Sequence, residues 1–251
     1  MVLLWLGLFF GIFGCNESVA GWCDLSLHGG EKLAKQYAEL YEAGYGAQGI
    51  PVLDEAVIFH RGASVNFRGK TNHGVVEVET AFGPAVLKFF PPEMSLEKNH
   101  VSLSLQKLLG DLGIAPAVLG VIPPRPGHEN GGPALLMKKA PGVLVKRETP
   151  RSIKYYGKAG LTRAAAHQAA QSIRLFEQLL NSLSIYGEDV QFLMTEDGQV
   201  SVFDFDFYSW RSPAGEVRSL FLDRAQWLIQ RTTMPPNDFT YLADYLENLG
   251  Q

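Results

Sequence analysis

The stretch Tyr186-Gly187-Glu188-Asp189-Val190-Gln191-Phe192-Leu193-Met194-Thr195-Glu196-Asp197-Gly198-Gln199-Val200-Ser201-Val202-Phe203-Asp204-Phe205-Asp206 decides how this chain is read. Two short β-prone runs, Phe192 to Met194 and Val200 to Asp204, flank Asp197-Gly198, a dipeptide that favours a tight hairpin because glycine takes a positive φ at little steric cost. Acids stand around that hairpin: Glu188 and Asp189 before its first strand, Asp204 and Asp206 at the end of its second. Alone, Asp204 reads as a carboxylate capping a turn. The order of the segments that precede the hairpin gives it more meaning.

Working outward, residues 161 to 183 align Ala169, Ile173, Phe176, Leu180 and Leu183 on one face of a long amphipathic helix, and helices are expected at 216 to 231 and 237 to 249. Toward the N-terminus, Val57 to Phe59, Val75 to Val78 and Ala85 to Phe90 are short β-rich runs broken by Gly62, Gly69, Gly74 and Gly83-Pro84, the pattern of an antiparallel meander. Leu96 to Leu112 carries Val101, Leu105, Leu108 and Leu112 on one helical face and ends at Gly113. Strands at Ala117 to Ile122 and Ala134 to Met137 follow, joined by the Pro/Gly-rich loop 123 to 133. A further helix is expected over Glu31 to Ala43, with Leu33, Tyr37, Leu40 and Tyr41 on one side. The expected fold class is α+β, a β-rich lobe of five strands and one helix followed by a short, mostly helical lobe, with a cleft where the two meet near Pro141-Gly142.

The 251 residues admit one large domain or two lobes, and 46% hydrophobic with 19% charged residues excludes intrinsic disorder as the main state. A net charge of -4 disfavours a broad nucleic-acid footprint. Two cysteines, Cys15 and Cys23, are too few for a disulfide-stapled scaffold. The histidines show no metal-site spacing, and no G-x-S-x-G elbow occurs. Val2 to Phe13 is an uncharged apolar run, too short to cross a bilayer core and within the range of a signal peptide. Small residues in Ser18-Val19-Ala20 predict cleavage before Gly21 and a secreted or extracytoplasmic protein, although no Lys or Arg precedes the run. A lipid anchor on Cys15 and a buried N-terminal segment are the alternatives.

Four elements then fall in one order. Gly69-Lys70-Thr71-Asn72-His73-Gly74-Val75-Val76 resembles the glycine-rich loop G-x-G-x-x-G-x-V of kinases, with Thr71 where the second glycine stands. Ala85-Val86-Leu87-Lys88 is similar to the strand-borne V-A-I-K lysine. Gly113-Ile114-Ala115-Pro116-Ala117-Val118-Leu119-Gly120 resembles the helix-to-strand passage of kinase-like small lobes, and Ala134 to Gly142 resembles the strand that enters the interlobe hinge. The stretch from Tyr186 to Asp206 resembles the catalytic loop, hairpin and D-F-G of the protein-kinase-like superfamily, in the D-F-D variant of small-molecule and atypical kinases. The resemblance covers about residues 57 to 210. It extends to minimal bacterial effector kinases and small-substrate kinases, because only 45 residues follow Asp206 and no A-P-E occurs, and to atypical secretory-pathway kinases, because Gln191 is followed by Phe192-Leu193.

The resemblance implies an ATP-dependent phosphotransferase working with Mg²⁺ or Mn²⁺ on a hydroxyl acceptor, a protein in the first instance. It implies ATP-binding roles for Gly69, Thr71, Gly74, Val76, Lys88, Met137 and Ala140, with Met137 at the adenine end. Glu97 is the candidate helix partner of Lys88; family spacing points instead at Ser102, and Glu93 is a further substitute. Metal ligands are Asp204 and Gln191, the latter where the family has Asn. The family's Asp stands five residues before that Asn, which lands on Tyr186 here, so Asp189 or Glu188 becomes the candidate base. A secreted pseudokinase acting as a binding module and a sugar or lipid-headgroup kinase are the alternatives. The implied divisions are a signal peptide at 1–20, a helical extension at 21–54, an N-lobe at 55–140 and a truncated C-lobe at 141–251. A monomer without nucleic-acid partner or transmembrane span is expected.

Overall fold

The computed structural model describes residues 35, 39, 49–65, 74–90, 100–124, 132–149, 152–155, 157, 160–187, 190–205, 208–211, 217–219 and 236–251. The expected signal peptide, the cleavage site at Gly21 and Cys15 lie outside them. Of the expected helix at 31 to 43, Lys35 and Glu39 are described; both are helical, and they form an (i, i+4) pair at 3.9 Å. Among the described residues no helix is long and apolar enough to cross a membrane.

The fold is α+β. Its first sheet contains β1 (Ile58–Val65), β2 (Gly74–Thr80), β3 (Gly83–Phe89), β4 (Val118–Ile122) and β5 (Ala134–Lys138) in the order β1-β2-β3-β5-β4, with antiparallel neighbours throughout. The β2–β3 turn closes on Thr80, whose hydroxyl donates to the Gly83 carbonyl at 2.8 Å and accepts from the Phe82 amide at 3.0 Å. Gly83 there takes a φ of 90°, which glycine reaches without strain. Alternation along β3 sends Ala85, Leu87 and Phe89 into a cluster with Val78, Ile122, Ala134 and Leu136.

Helix α1 (His100–Asp111) runs between β3 and β4 in sequence and is apolar on two sides. Leu103 joins Ile50, Phe90, Val121, Leu135 and Met137 against the first sheet, whereas Leu105, Leu108 and Leu109 belong to the core of the second half. The helix stops where Gly113 adopts a φ of 71° and the Ile114 and Ala115 amides turn back to the Leu109 carbonyl, the usual way a glycine ends a helix. The next carbonyl, that of Ile114, accepts the Val202 amide at 2.9 Å, tying the helix exit to the later hairpin.

That second half is built on α2 (Arg163–Ser182). The Thr162 hydroxyl caps its first turn by accepting from the Ala165 amide at 3.2 Å. Ala166, Ala169, Ile173, Phe176 and Leu180 form its buried stripe. On this stripe pack α3 (Thr240–Leu249), through Leu242, Ala243 and Leu246, and one face of a four-stranded sheet. The sheet comprises β6 (Val143–Thr149), β7 (Ser152–Tyr155), β9 (Gln191–Met194) and β10 (Val200–Phe203) in the order β10-β9-β6-β7. Phe239 at the head of α3 stacks on Phe176, ring centroids 6.1 Å apart, and its amide donates to Glu177 at 2.6 Å. A third sheet pairs β8 (Ile185–Gly187), β11 (Tyr208–Arg211) and β12 (Val217–Ser219) in the order β12-β11-β8.

The second half therefore holds more strand than its periodicity predicts. Strands β6, β7, β8, β11 and β12 were not expected, and the helix expected at 216 to 231 is corrected at its start, where Val217–Ser219 pair with Ser209, Trp210 and Arg211. Pairing to the preceding strand, β11, overrides a helical spacing in so short a segment. Residues 220 to 231 lie outside the described residues.

Candidate functional site

The face of β3 opposite its apolar cluster carries Val86 and Lys88. In register with Lys88 stand Val75 on β2 and Leu135 on β5. Lys88 is only 8% exposed, and an ammonium group so enclosed needs a counter-charge and hydrogen-bond acceptors. It finds them across the molecule: its Nζ donates to Asp204 Oδ1 at 2.9 Å, bridging 116 positions of sequence, and lies 5.7 Å from the centroid of the Phe90 ring.

Asp204 immediately follows β10 and has a φ of 64°, in the left-handed region that a non-glycine residue enters at a cost of about 1–2 kcal/mol. Two features hold it there. Phe205 is buried among the helical core residues, and Gln191 Nε2 donates to the second carboxylate oxygen, Oδ2, at 3.2 Å. Gln191 is available because β9 pairs with β10 in the register Gln191↔Phe203, which sets it beside the strand end that delivers Asp204. A non-glycine residue kept in a costly conformation by packing and by two side-chain donors marks a position whose carboxylate orientation matters. Lys88, Gln191 and Asp204 thus form one constellation drawn from β3, β9 and the end of β10.

A pair of asparagine amides, Asn237 buried and Asn181 exposed, braces the strand that leads to Gln191. Asn237 donates through Nδ2 to the Ile185 carbonyl at 2.6 Å and accepts the Gly187 amide on Oδ1 at 2.9 Å, so it satisfies β8 on both counts. The same Nδ2 reaches Asn181 Oδ1 at 2.9 Å, and Asn181 Oδ1 also accepts the Asn237 backbone amide at 2.7 Å. The end of α2, β8 and the segment before α3 are locked together just ahead of residues 188 and 189. Neither asparagine was singled out from the sequence; two isolated amides, 56 positions apart, carry no spacing signal.

The other expected site residues distribute as follows. Gly74 opens β2 with a φ of 139°. Val76 pairs with Leu87 and packs against the Val78, Leu87 and Leu136 cluster, on the face of the sheet away from Lys88. Val75 is the β2 residue level with Lys88, since a shift of one residue along a strand changes the face. Met137 is buried on the Lys88 side of the sheet, with Leu103, Val121 and Leu135. Ala140 borders a cavity of about 320 Å³ together with Gly113, Pro116, Gln168, Ser172 and Thr195. That cavity touches none of Lys88, Gln191 and Asp204, so its position and that of the charged constellation differ. The charges and the strained backbone of the constellation make chemical demands that the lining of this cavity does not. Gly69, Thr71, Glu97, Glu188 and Asp189 lie outside the described residues.

Asp204 and Gln191 provide oxygen atoms, the donor type that a hard divalent cation takes; Mg²⁺ is commonly held by one or two protein carboxylates with phosphate oxygens completing its shell. For Gln191 this requires the amide to turn its oxygen toward the ion. Among the described residues no group of three or more His, Cys, Asp and Glu could hold an ion. The residues present fit a metal that arrives with phosphates.

No family model matches the sequence, and no curated protein matches it. Among solved structures, one titled "Structure of vaccinia related kinase 3" matches 87% of this chain and 79% of its own, at 11% identity and a TM-score of 0.35.

Proposed function

We propose that this protein is a kinase-like phosphotransferase that moves the γ-phosphate of ATP, with Mg²⁺ or Mn²⁺, to a hydroxyl acceptor, a protein in the first instance. The observation that carries the reading is the 2.9 Å contact between Lys88 and Asp204, the two residues that the motif order assigns to phosphate and metal. Phosphoryl transfer needs positioning and charge neutralisation more than covalent chemistry. Lys88, on a rigid central strand, would hold the phosphate oxygens and remain oriented by Asp204. Gln191 would steady the carboxylate or turn its own oxygen to the ion. The metal, bound with the nucleotide, would neutralise phosphate charge. Asp189 or Glu188, which follow the braced strand β8, would accept the proton of the acceptor hydroxyl. Residues 55–140 and 141–251 would be the two lobes, and the Val2 to Phe13 run with Ser18-Val19-Ala20 supports export with a mature N-terminus at Gly21.

The test is transfer of label from γ-labelled ATP by the protein, with Mg²⁺ or Mn²⁺, to itself and to panels of protein, sugar and lipid-headgroup acceptors. Asp204→Asn and Lys88→Met are each expected to remove nearly all transfer. Transfer that survives both substitutions refutes the assignment.

One observation favours a second reading, a nucleotide-binding module without turnover. Both carboxylate oxygens of Asp204 already accept protein donors, Lys88 on one and Gln191 on the other. A metal bound here would have to share oxygens that already accept these donors. Thermal stabilisation by ATP with no label transfer to any acceptor would select this reading.

A further inference from the structure

The four-stranded sheet carries a charged row that the chemistry above does not use. Its register sets Lys154 of β7 opposite Lys146 of β6, Lys146 opposite Gln191 of β9, and Gln191 opposite Phe203 of β10. The neighbouring residues Val145, Phe192 and Val202 point into the helical core, so alternation puts the row on the other face. Gln191 shows which way that face looks, because its side chain bonds Asp204. Lys146 is half-buried beside Gln191, and Lys154 is exposed beyond it. Like charges directly opposite on adjacent strands disfavour each other, and an acid that reaches both adds a favourable contact to each. The chain is acidic overall, with a net charge of -4, so a cationic row at this place is a local feature rather than a general one.

We propose that the Lys146–Lys154 row is an acceptor subsite that selects peptides with an acidic residue near the acceptor hydroxyl. The inference rests on the phosphotransfer reading and names the substrate class of the same site. The spacing sets the position of the acid. Neighbouring strands lie about 4.8 Å apart, so Lys154 is about 10 Å from Gln191 across the sheet, and an extended peptide advances about 3.3 Å per residue. A hydroxyl held at the Gln191 and Asp204 end therefore sets a residue about three positions away above Lys154, with Lys146 reaching the group from the side. A carboxylate or phosphoserine there meets two ammonium groups. Both lysines also interact with other groups of the chain, so the incoming acid exchanges for contacts already made.

The test uses the full chain, ATP with Mg²⁺, and neutral peptides with one serine acceptor in which a glutamate is moved through the four positions on either side. The expected result is a maximum in kcat/KM with glutamate about three residues from the serine on one side, about tenfold above the glutamine counterpart, the size of one charge-assisted contact. Lys154→Glu and Lys146→Glu should abolish that preference and favour a lysine at the same peptide position. No positional acid preference, or an equal loss for acidic and neutral peptides in Lys154→Glu, overturns the proposal. Binding of the same labelled peptides, read by fluorescence anisotropy, separates it from the phosphotransfer reading: the glutamate peptide should bind more tightly than its glutamine counterpart and Lys154→Glu should reverse the order, whether or not label is transferred. Equal binding overturns the subsite.

Discussion

Replacing Asn237 by alanine removes three side-chain hydrogen bonds: to the Ile185 carbonyl at 2.6 Å, from the Gly187 amide at 2.9 Å and to Asn181 at 2.9 Å. Asn237 is 4% exposed, and Ile185 and Gly187 are buried, so the carbonyl and amide left behind lose their partner in a place poorly reached by water. An unsatisfied buried group costs about 1–3 kcal/mol, which makes about 2–6 kcal/mol for the two. At a central value of about 4 kcal/mol, a chain of this length loses roughly 8–16 °C in Tm. Asn237→Asp keeps an acceptor for Gly187 but turns a carboxylate oxygen toward the Ile185 carbonyl, and it should be no milder. Asn181 is exposed, so water can replace what Asn181→Ala removes, and that variant should cost about 1 kcal/mol. Urea denaturation followed by fluorescence and circular dichroism gives all three values. An Asn237→Ala protein within about 1 kcal/mol of the parent, or an Asn181→Ala protein less stable than it, refutes the reasoning.

Asp189→Asn should keep ATP binding and lower turnover by roughly 10² or more, the ordinary contribution of a positioned base; turnover unchanged in Asp189→Asn, Glu188→Gln and their double variant removes both from that role. Gly198→Ala should destabilise the β9–β10 hairpin, since Gly198 has a φ of 85° and an added Cβ would stand 2.2 Å from the Ala165 carbonyl oxygen on α2; a melting temperature equal to the parent's contradicts that contact. Glu247 is held below the ordinary carboxylate range first by the hydrogen bond from Arg174, made at 3.0 Å. Its folded-state pKa is the lower one, so the stability from this pair is present above the ordinary glutamate pKa and is lost as pH falls through the depressed value. Arg174→Ala should move the Glu247 pKa upward in an NMR titration, and no movement would assign the depression to another cause.

Much of the first sheet was legible because each strand announces itself locally. Ala85 to Phe89 alternates faces, Gly83 marks the turn before it, and Lys88 stands as one cation in an apolar run. Asp197-Gly198 and the stripe from Ala169 to Leu180 were similarly self-contained. The short strands β8, β11 and β12 were not legible, because three or four residues carry no period of their own and become strands only by pairing with one another. Strand β6 mixes Val143-Leu144-Val145 with Lys146-Arg147, which hides its alternation until Lys146 is seen level with Gln191. The same reason explains Val76: a motif template names a residue, but only the register with Lys88 shows which face of β2 looks at the site. Lys88 and Asp204 could be paired from motif order alone. The Asn181 and Asn237 brace and the row of lysines exist only once the fold has brought separate segments together.

A crystal structure of the protein with a non-hydrolysable ATP analogue and Mn²⁺ tests the central claim most directly, because the anomalous signal of manganese locates the metal independently of any model of the nucleotide. The account predicts one peak at bonding distance from an Asp204 carboxylate oxygen, with the phosphates against the Lys88 ammonium and the base beside Met137. A nucleotide bound elsewhere on the chain, or an ordered nucleotide at Lys88 with manganese bound away from Asp204, would contradict it.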